Sequence, residues 1–163
     1  MLIPIAVSSV FVLALSILCV AKPNTGRNVL GLFFLGMALG VNGHFTFTAP
    51  QSYVEYASGA LIPFYRNVAL AVVRSNPVLF GSVLIIFEIA MGTLLLHKHS
   101  SVKIGLIGTM GFLIGISPLS FTQIPWVGLA IAQAYLLTKE FDTSFFESIQ
   151  IQLLQRRTYQ NEE

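Results

Sequence analysis

The chain has 163 residues, 55% hydrophobic and only 10% charged, with a mean hydropathy of +0.77 and a net charge of +2. Soluble domains carry about 25% charged residues and need polar surface to cover a core. That composition excludes a water-soluble globular fold and points to an integral membrane protein, and the small net charge argues against nucleic acid as a partner. The single cysteine, Cys19, lies inside an apolar run. It rules out an intrachain disulfide, and no Cys/His spacing suits a metal. Cys19 reads as buried apolar filler.

The first apolar run, Leu2 to Ala21, lacks the basic segment that opens a signal peptide and is long enough to cross a bilayer. It is therefore expected to be retained as a transmembrane helix, ended by Lys22-Pro23-Asn24. A second run covers residues 28–47, with Arg27 at its start. The stretch from Pro50 to Asn76 is not a span. Ser52-x-x-Glu55 has the form of a capping box, and Tyr53, Ala57, Ala60 and Phe64 recur at helical spacing, followed by Arg66, Leu70 and Arg74. Short amphipathic helices on the membrane surface are expected within residues 50–75.

Asn76-Pro77 then marks a sharp helix start, because Asn caps well and proline suits the first helical position. This third run covers 77–96 and ends at His97-Lys98-His99. The fourth covers 102–117, closed by Ser117-Pro118, and the fifth 125–138, with Trp126 at its mouth as an interfacial aromatic. Residues 1–139 thus read as one transmembrane domain. In the tail, residues 140–163, a second box at Ser144-x-x-Glu147 opens an amphipathic helix carrying Phe141, Phe145, Ile149 and Leu153, with Tyr159 to Glu163 polar beyond it.

Basic residues set the expected topology. With five crossings, Lys22, Arg27, Lys98, Lys103, Lys139, Arg156 and Arg157 fall on one side, and Arg66 and Arg74 on the other. The positive-inside rule then places the N-terminus outside and the tail in the cytoplasm. Four crossings would almost erase the bias.

Within the spans, glycines form stripes at spacings of three and four. They are Gly36, Gly40 and Gly43 in the second run, Gly81 and Gly92 in the third, and Gly105, Gly108, Gly111 and Gly115 in the fourth. Such stripes let helix backbones approach closely in lipid, so these positions are expected to pack helices. Glu88 interrupts the third run near its middle. An ionised acid at mid-bilayer costs at least ~2.5–3.5 kcal/mol by analogy with Asp, so Glu88 is expected to face the bundle or to hold its proton. It lies ~16 Å below Pro77, and Gln133 lies ~12 Å below Pro125, at 1.5 Å per residue. Gln133 is the expected partner by depth, with Asn42 and His44 nearer the outer end of the second run. Glu88, Gln133, Asn42 and His44 are the candidates for holding a ligand head or accepting a proton. No second acid in a span forms a relay with Glu88. His44 lies at the end opposite His97 and His99, which disfavours a bis-His haem.

Two segments carry a family resemblance. Arg27 to Gly36, a basic residue before a Gly/Phe/Leu helix, resembles the opening helix of DoxX-like membrane proteins. Phe87 to Leu96 is similar to that family's E-x-x-x-G-x-x-L-L pattern, through Glu88 and Gly92. The resemblance covers residues 27–139 and implies a four-helix bundle, here with Leu2 to Ala21 added in front. It also implies association with quinone-linked or other redox complexes, or with membrane-protein assembly. The expectation is an all-α protein acting as a small accessory subunit of a redox or energy-transducing complex without a catalytic centre of its own. Its partners would be other membrane subunits and lipids. The alternatives are a binder of a lipophilic molecule, a quinone or lipid, held by Glu88 and Gln133, and an assembly factor.

Overall fold

The structure, a computed structural model, describes residues 2–160. Residues Met1, Asn161, Glu162 and Glu163 and the side chains of Leu2, Gln152, Leu153 and residues 155–160, Arg156, Arg157 and Tyr159 among them, lie outside the described residues. The described chain is all helical. Helix α1 is Leu2–Ala21, and α2 is one continuous 26-residue helix, Pro23–Thr48. The second run therefore begins five residues earlier than expected. Proline at the first helical position both closes α1 and opens α2, since its missing N–H is unneeded there.

Two short helices follow, α3 at Gln51–Ser58 and α4 at Pro63–Ser75, where surface helices were expected. The Ser52/Glu55 box is not what starts α3. The helix begins one residue before Ser52, with Pro50 at the cap position and no side-chain cap. Helix α5 is Pro77–Leu96, and Asn76 caps it by accepting a hydrogen bond from the Leu79 N–H at 3.0 Å. Helix α6 is Ser100–Ile116, extended by a tighter turn at Ser117–Leu119. The α5–α6 reversal is short enough to force His99 to a φ of 57°, and the His99 N–H donates to the Phe141 carbonyl at 2.8 Å. Helix α7 is Trp126–Leu137, and the tail forms α8, Phe145–Gln160. Its capping box is closed in both directions: the Ser144 N–H donates to Glu147 at 2.7 Å, and the Glu147 N–H donates to the Ser144 hydroxyl at 3.3 Å.

Four helical stretches are long and apolar enough to cross a membrane: Ile3–Ala21, Pro23–Thr48, Pro77–Leu96 and Ser100–Leu119. The outward side chains are apolar too. Val10, Leu13, Ile86, Ile107 and Ile131 are each more than half exposed, a surface that suits lipid and not water. Helix α7 is apolar but has 12 residues.

The long helices close a ring in the order α1, α2, α5, α6, α7 and back to α1. Leu15, Leu30, Leu95, Leu106, Leu129 and Leu136 fill the centre with nearly no exposure. Polar contacts mark the two ends. At one end the Ser8 hydroxyl meets the Thr122 carbonyl at 3.0 Å, and the Leu61 N–H meets the Pro118 carbonyl at 2.9 Å. At the other, Arg27 is wholly buried. Its guanidinium donates to the carbonyls of His97 and of Thr143, the latter at 2.9 Å, and lies 4.9 Å over the Phe141 ring. It joins the foot of α2 to the end of α5 and to the tail, instead of standing free as a surface charge.

The glycine expectation divides. A Cβ built on Gly92 would sit 2.9 Å from the Gly31 carbonyl oxygen, and one on Gly31 2.9 Å from the Gly92 oxygen. That crossing of α2 and α5 requires glycine on both helices, and Gly31 was not among the expected packing positions. Gly105 meets α5 at 3.1 Å, Gly108 lies against Met91, and Gly81 leaves room for Tyr53. Gly36, Gly40, Gly111 and Gly115 do not pack helices: a Cβ there would meet nothing within 4 Å, and Gly43 meets only its own helix. A stripe fixes a face of a helix, and among the described residues nothing comes within 4 Å of where a side chain at the first four of these positions would begin.

Candidate functional site

The site is built on α2, α3 and α5. The inner face of α2 carries Phe34, Ala38, Asn42 and Thr46, each four residues after the last and each buried. In a regular α-helix four residues overshoot one turn by roughly 40°, so such a row would spiral away from the core. Residues Met37–Asn42 form a π turn, wider than an α turn. The extra width holds Asn42 and Thr46 on the side facing α5.

Opposite Asn42 lies Glu88, 1% exposed. The Asn42 amide Nδ2 donates to Glu88 Oε2 at 2.8 Å. Tyr53 of α3 fixes the amide by donating to Asn42 Oδ1 and to the Asn42 carbonyl, both at 3.2 Å, and its hydroxyl lies 3.0 Å from Thr46 Oγ1. Tyr53 reaches this position over Gly81, where a Cβ would come 2.7 Å from its ring, and rests edge-on against Phe80 with centroids 5.4 Å apart. Among the described residues Glu88 makes no ion pair and accepts no hydrogen bond besides that from Asn42, so Oε1 is left without a protein partner.

Glu88 and Asn42 form part of the wall of a cavity of about 750 Å³ bounded by α2, α3, α4, α5 and α6. Ten aromatic side chains line it, among them Phe45, Tyr65, Phe80, Phe87, Phe112 and Trp126, and Glu88 is its one charged lining residue. Val68 and Val72 of α4, Val83 of α5 and Tyr56 of α3 line it and are roughly half exposed, so the cavity is open to the outside of the bundle. Helix α4 is fastened across it by the Tyr65 hydroxyl, which donates to the Gly115 carbonyl, and Arg66 ties α4 to the turn before it by donating to the Ala60 carbonyl at 2.9 Å.

The sequence-based candidates separate in space. Glu88 and Asn42 come together. Gln133 does not join them, although its depth matched. It lies in the α6–α7 contact, where its Oε1 accepts from the Thr109 hydroxyl at 2.6 Å. Helix α7 packs on α6 and α1 and does not adjoin α5 in the ring. His44 is exposed and contacts Thr48 of its own helix, outside the cavity. Tyr53, Thr46 and the aromatic wall were missed as site residues. The signal for Tyr53 was its position on one helical face with Ala57 and Ala60. All three are buried, while Phe64, assigned to the same face, is 77% exposed.

No family model, curated protein or solved structure matches this chain.

Proposed function

We propose that this protein holds a lipophilic small molecule of the membrane in the cavity between α2, α4, α5 and α6, with Glu88 taking its polar end. The observation that carries this reading is one carboxyl oxygen without a protein partner, placed on the wall of a large, aromatic, outwardly open cavity. Small-molecule sites have this character, mostly apolar with few converging polar groups, and an ionisable residue inside a membrane domain is retained for function more often than for stability. Asn42 and Tyr53 hold the carboxyl in place before anything binds. The DoxX-like resemblance reaches Glu88 and Gly92, which lie on α5 where it faces α2. A quinone or an isoprenoid lipid falls within the proposed class.

The proposal includes five crossings. Its support is the place of α7 between α1 and α6, with its start at the Ser8–Thr122 end and its finish beside the tail. It also includes the N-terminus outside, which rests on the distribution of Lys and Arg. A purely accessory subunit would leave the Glu88 cavity without a role.

Ligand linkage provides the test. A compound at 100 times its Kd stabilises by about 2.7 kcal/mol, which for a chain of this size raises Tm by roughly 5–10 °C. Fractions of a native membrane lipid extract are added to the purified protein and to Ala69→Trp, which fills the cavity from α4. The expected result is one fraction that stabilises the wild type and not the variant. Equal shifts in both proteins for every fraction would contradict the proposal.

A further inference from the structure

Resting on that reading, we infer that the occupant is a lipophilic cation: a protonated amine or an onium centre carried on a large apolar skeleton. Three observations point the same way. First, the cavity holds one acidic side chain and no basic one. The chain has nine Lys and Arg residues. Of those in or near the bundle, Arg27 is committed to backbone carbonyls at the far end, Lys98 and Lys103 to surface acids, and Arg66 to the Ala60 carbonyl. Among the described residues no cation pairs with Glu88 or lines its cavity, and a carboxyl withdrawn from water is balanced either by a counter-charge or by a proton.

Second, the partners that Glu88 does have are neutral. Asn42 occupies Oε2 and is itself held by Tyr53, which leaves Oε1 as the acceptor turned to whatever fills the space. An acceptor set favours a donor, and N⁺–H···O⁻ is the strong form of that bond.

Third, the walls are aromatic. Phe45, Phe80, Phe87 and Phe112 line the same cavity as the carboxyl, and aromatic faces attract desolvated cations through their quadrupoles. A carboxylate within an aromatic enclosure combines both means of holding an organic cation that must leave water. A neutral occupant of the same size would use the walls but leave Glu88 to be neutralised by a proton alone.

The chain's single tryptophan, Trp126, lines this cavity and stacks on Phe33 with centroids 5.4 Å apart, so its fluorescence reports occupancy. The full chain in neutral-lipid nanodiscs is titrated with tetraphenylphosphonium and, separately, with triphenylphosphine oxide, a neutral aryl compound of similar bulk. We expect saturable changes in Trp126 emission with both probes in the wild type, and roughly tenfold or more tighter binding of the cation. Glu88→Gln is expected to abolish that preference. Equal affinities of the two probes for the wild type would overturn the cation inference while leaving the lipophilic site standing. So would a cation preference that survives in Glu88→Gln. If neither probe binds, the site itself fails. The wild-type comparison alone decides between the probes should Glu88→Gln not fold.

Discussion

Arg27 and Glu88 are both charged residues buried on facing helices, and they differ in what surrounds them. Arg27 is packed at the foot of α2, where two backbone carbonyls take up its two terminal nitrogens, an aromatic face covers the group, and Nε alone has no partner among the described residues. Glu88 lies further along the bundle with one oxygen bonded to Asn42 and the other on the wall of a cavity of about 750 Å³. A buried charge whose partners all come from its own chain holds the fold together. A buried charge with an unfilled bonding position beside open space is arranged to meet something else.

That contrast is open to test, and its largest consequence falls on Arg27. Arg27→Met removes two charge-assisted hydrogen bonds and leaves the His97 and Thr143 carbonyls unpaired, so a loss of about 3–5 kcal/mol is expected in a reversible unfolding assay. Glu88→Gln keeps an acceptor for Asn42 and should stay within about 1 kcal/mol of the wild type. If the two variants lose equal stability, the distinction between a structural and a functional charge collapses.

Helix packing sharpens the same comparison between filled and unfilled space. Gly92→Val places a branched side chain against the Gly31 carbonyl, and about 1–3 kcal/mol of destabilisation is expected. Gly40→Val, on an open face, should change stability by less than about 0.5 kcal/mol. The same unfolding assay reads both.

Asn42→Leu removes the one protein donor to Glu88, and we expect a stability loss of about 1–2 kcal/mol together with weaker probe binding. Measuring unfolding and Trp126 titration side by side separates the two effects.

The smallest effect lies at the tail. Glu147 accepts hydrogen bonds from Lys98 and from the Ser144 N–H, and these hold its carboxyl at about 2, below the ordinary 4.5. A depressed value means that the ionised form favours docking. The contribution is present above about pH 4.5 and disappears as the pH falls through about 2. NMR order parameters of the α8 start should therefore stay high at pH 5 and fall towards pH 2, and Lys98→Met should move that loss to higher pH.

The apolar runs were legible because lipid demands them, and four long helices were found where the hydropathy pattern placed them. The Ser144/Glu147 box was legible because both partners were free to form it, whereas Pro50 displaced the start that Ser52 and Glu55 suggested. Depth along a helix is also written in the sequence, and it matched Gln133 to Glu88. Which helices stand side by side is not, and the ring order gave that place to Asn42. The π turn carried no marker in the sequence, although it decides that Asn42 faces inward. Glycine spacing showed which residues share a face and could not show whether a neighbour covers it, which is why Gly31 was missed and Gly36 and Gly40 were overread.

The central claim is that the Glu88 cavity is an occupied site. Mass spectrometry of the small molecules extracted from purified wild-type protein and from Ala69→Trp, both prepared from native membranes in the same mild detergent, tests it most directly. One lipophilic species is expected at near-equal molar ratio to the wild type and strongly depleted in the variant. The same bulk lipids in the same amounts from both proteins would contradict it.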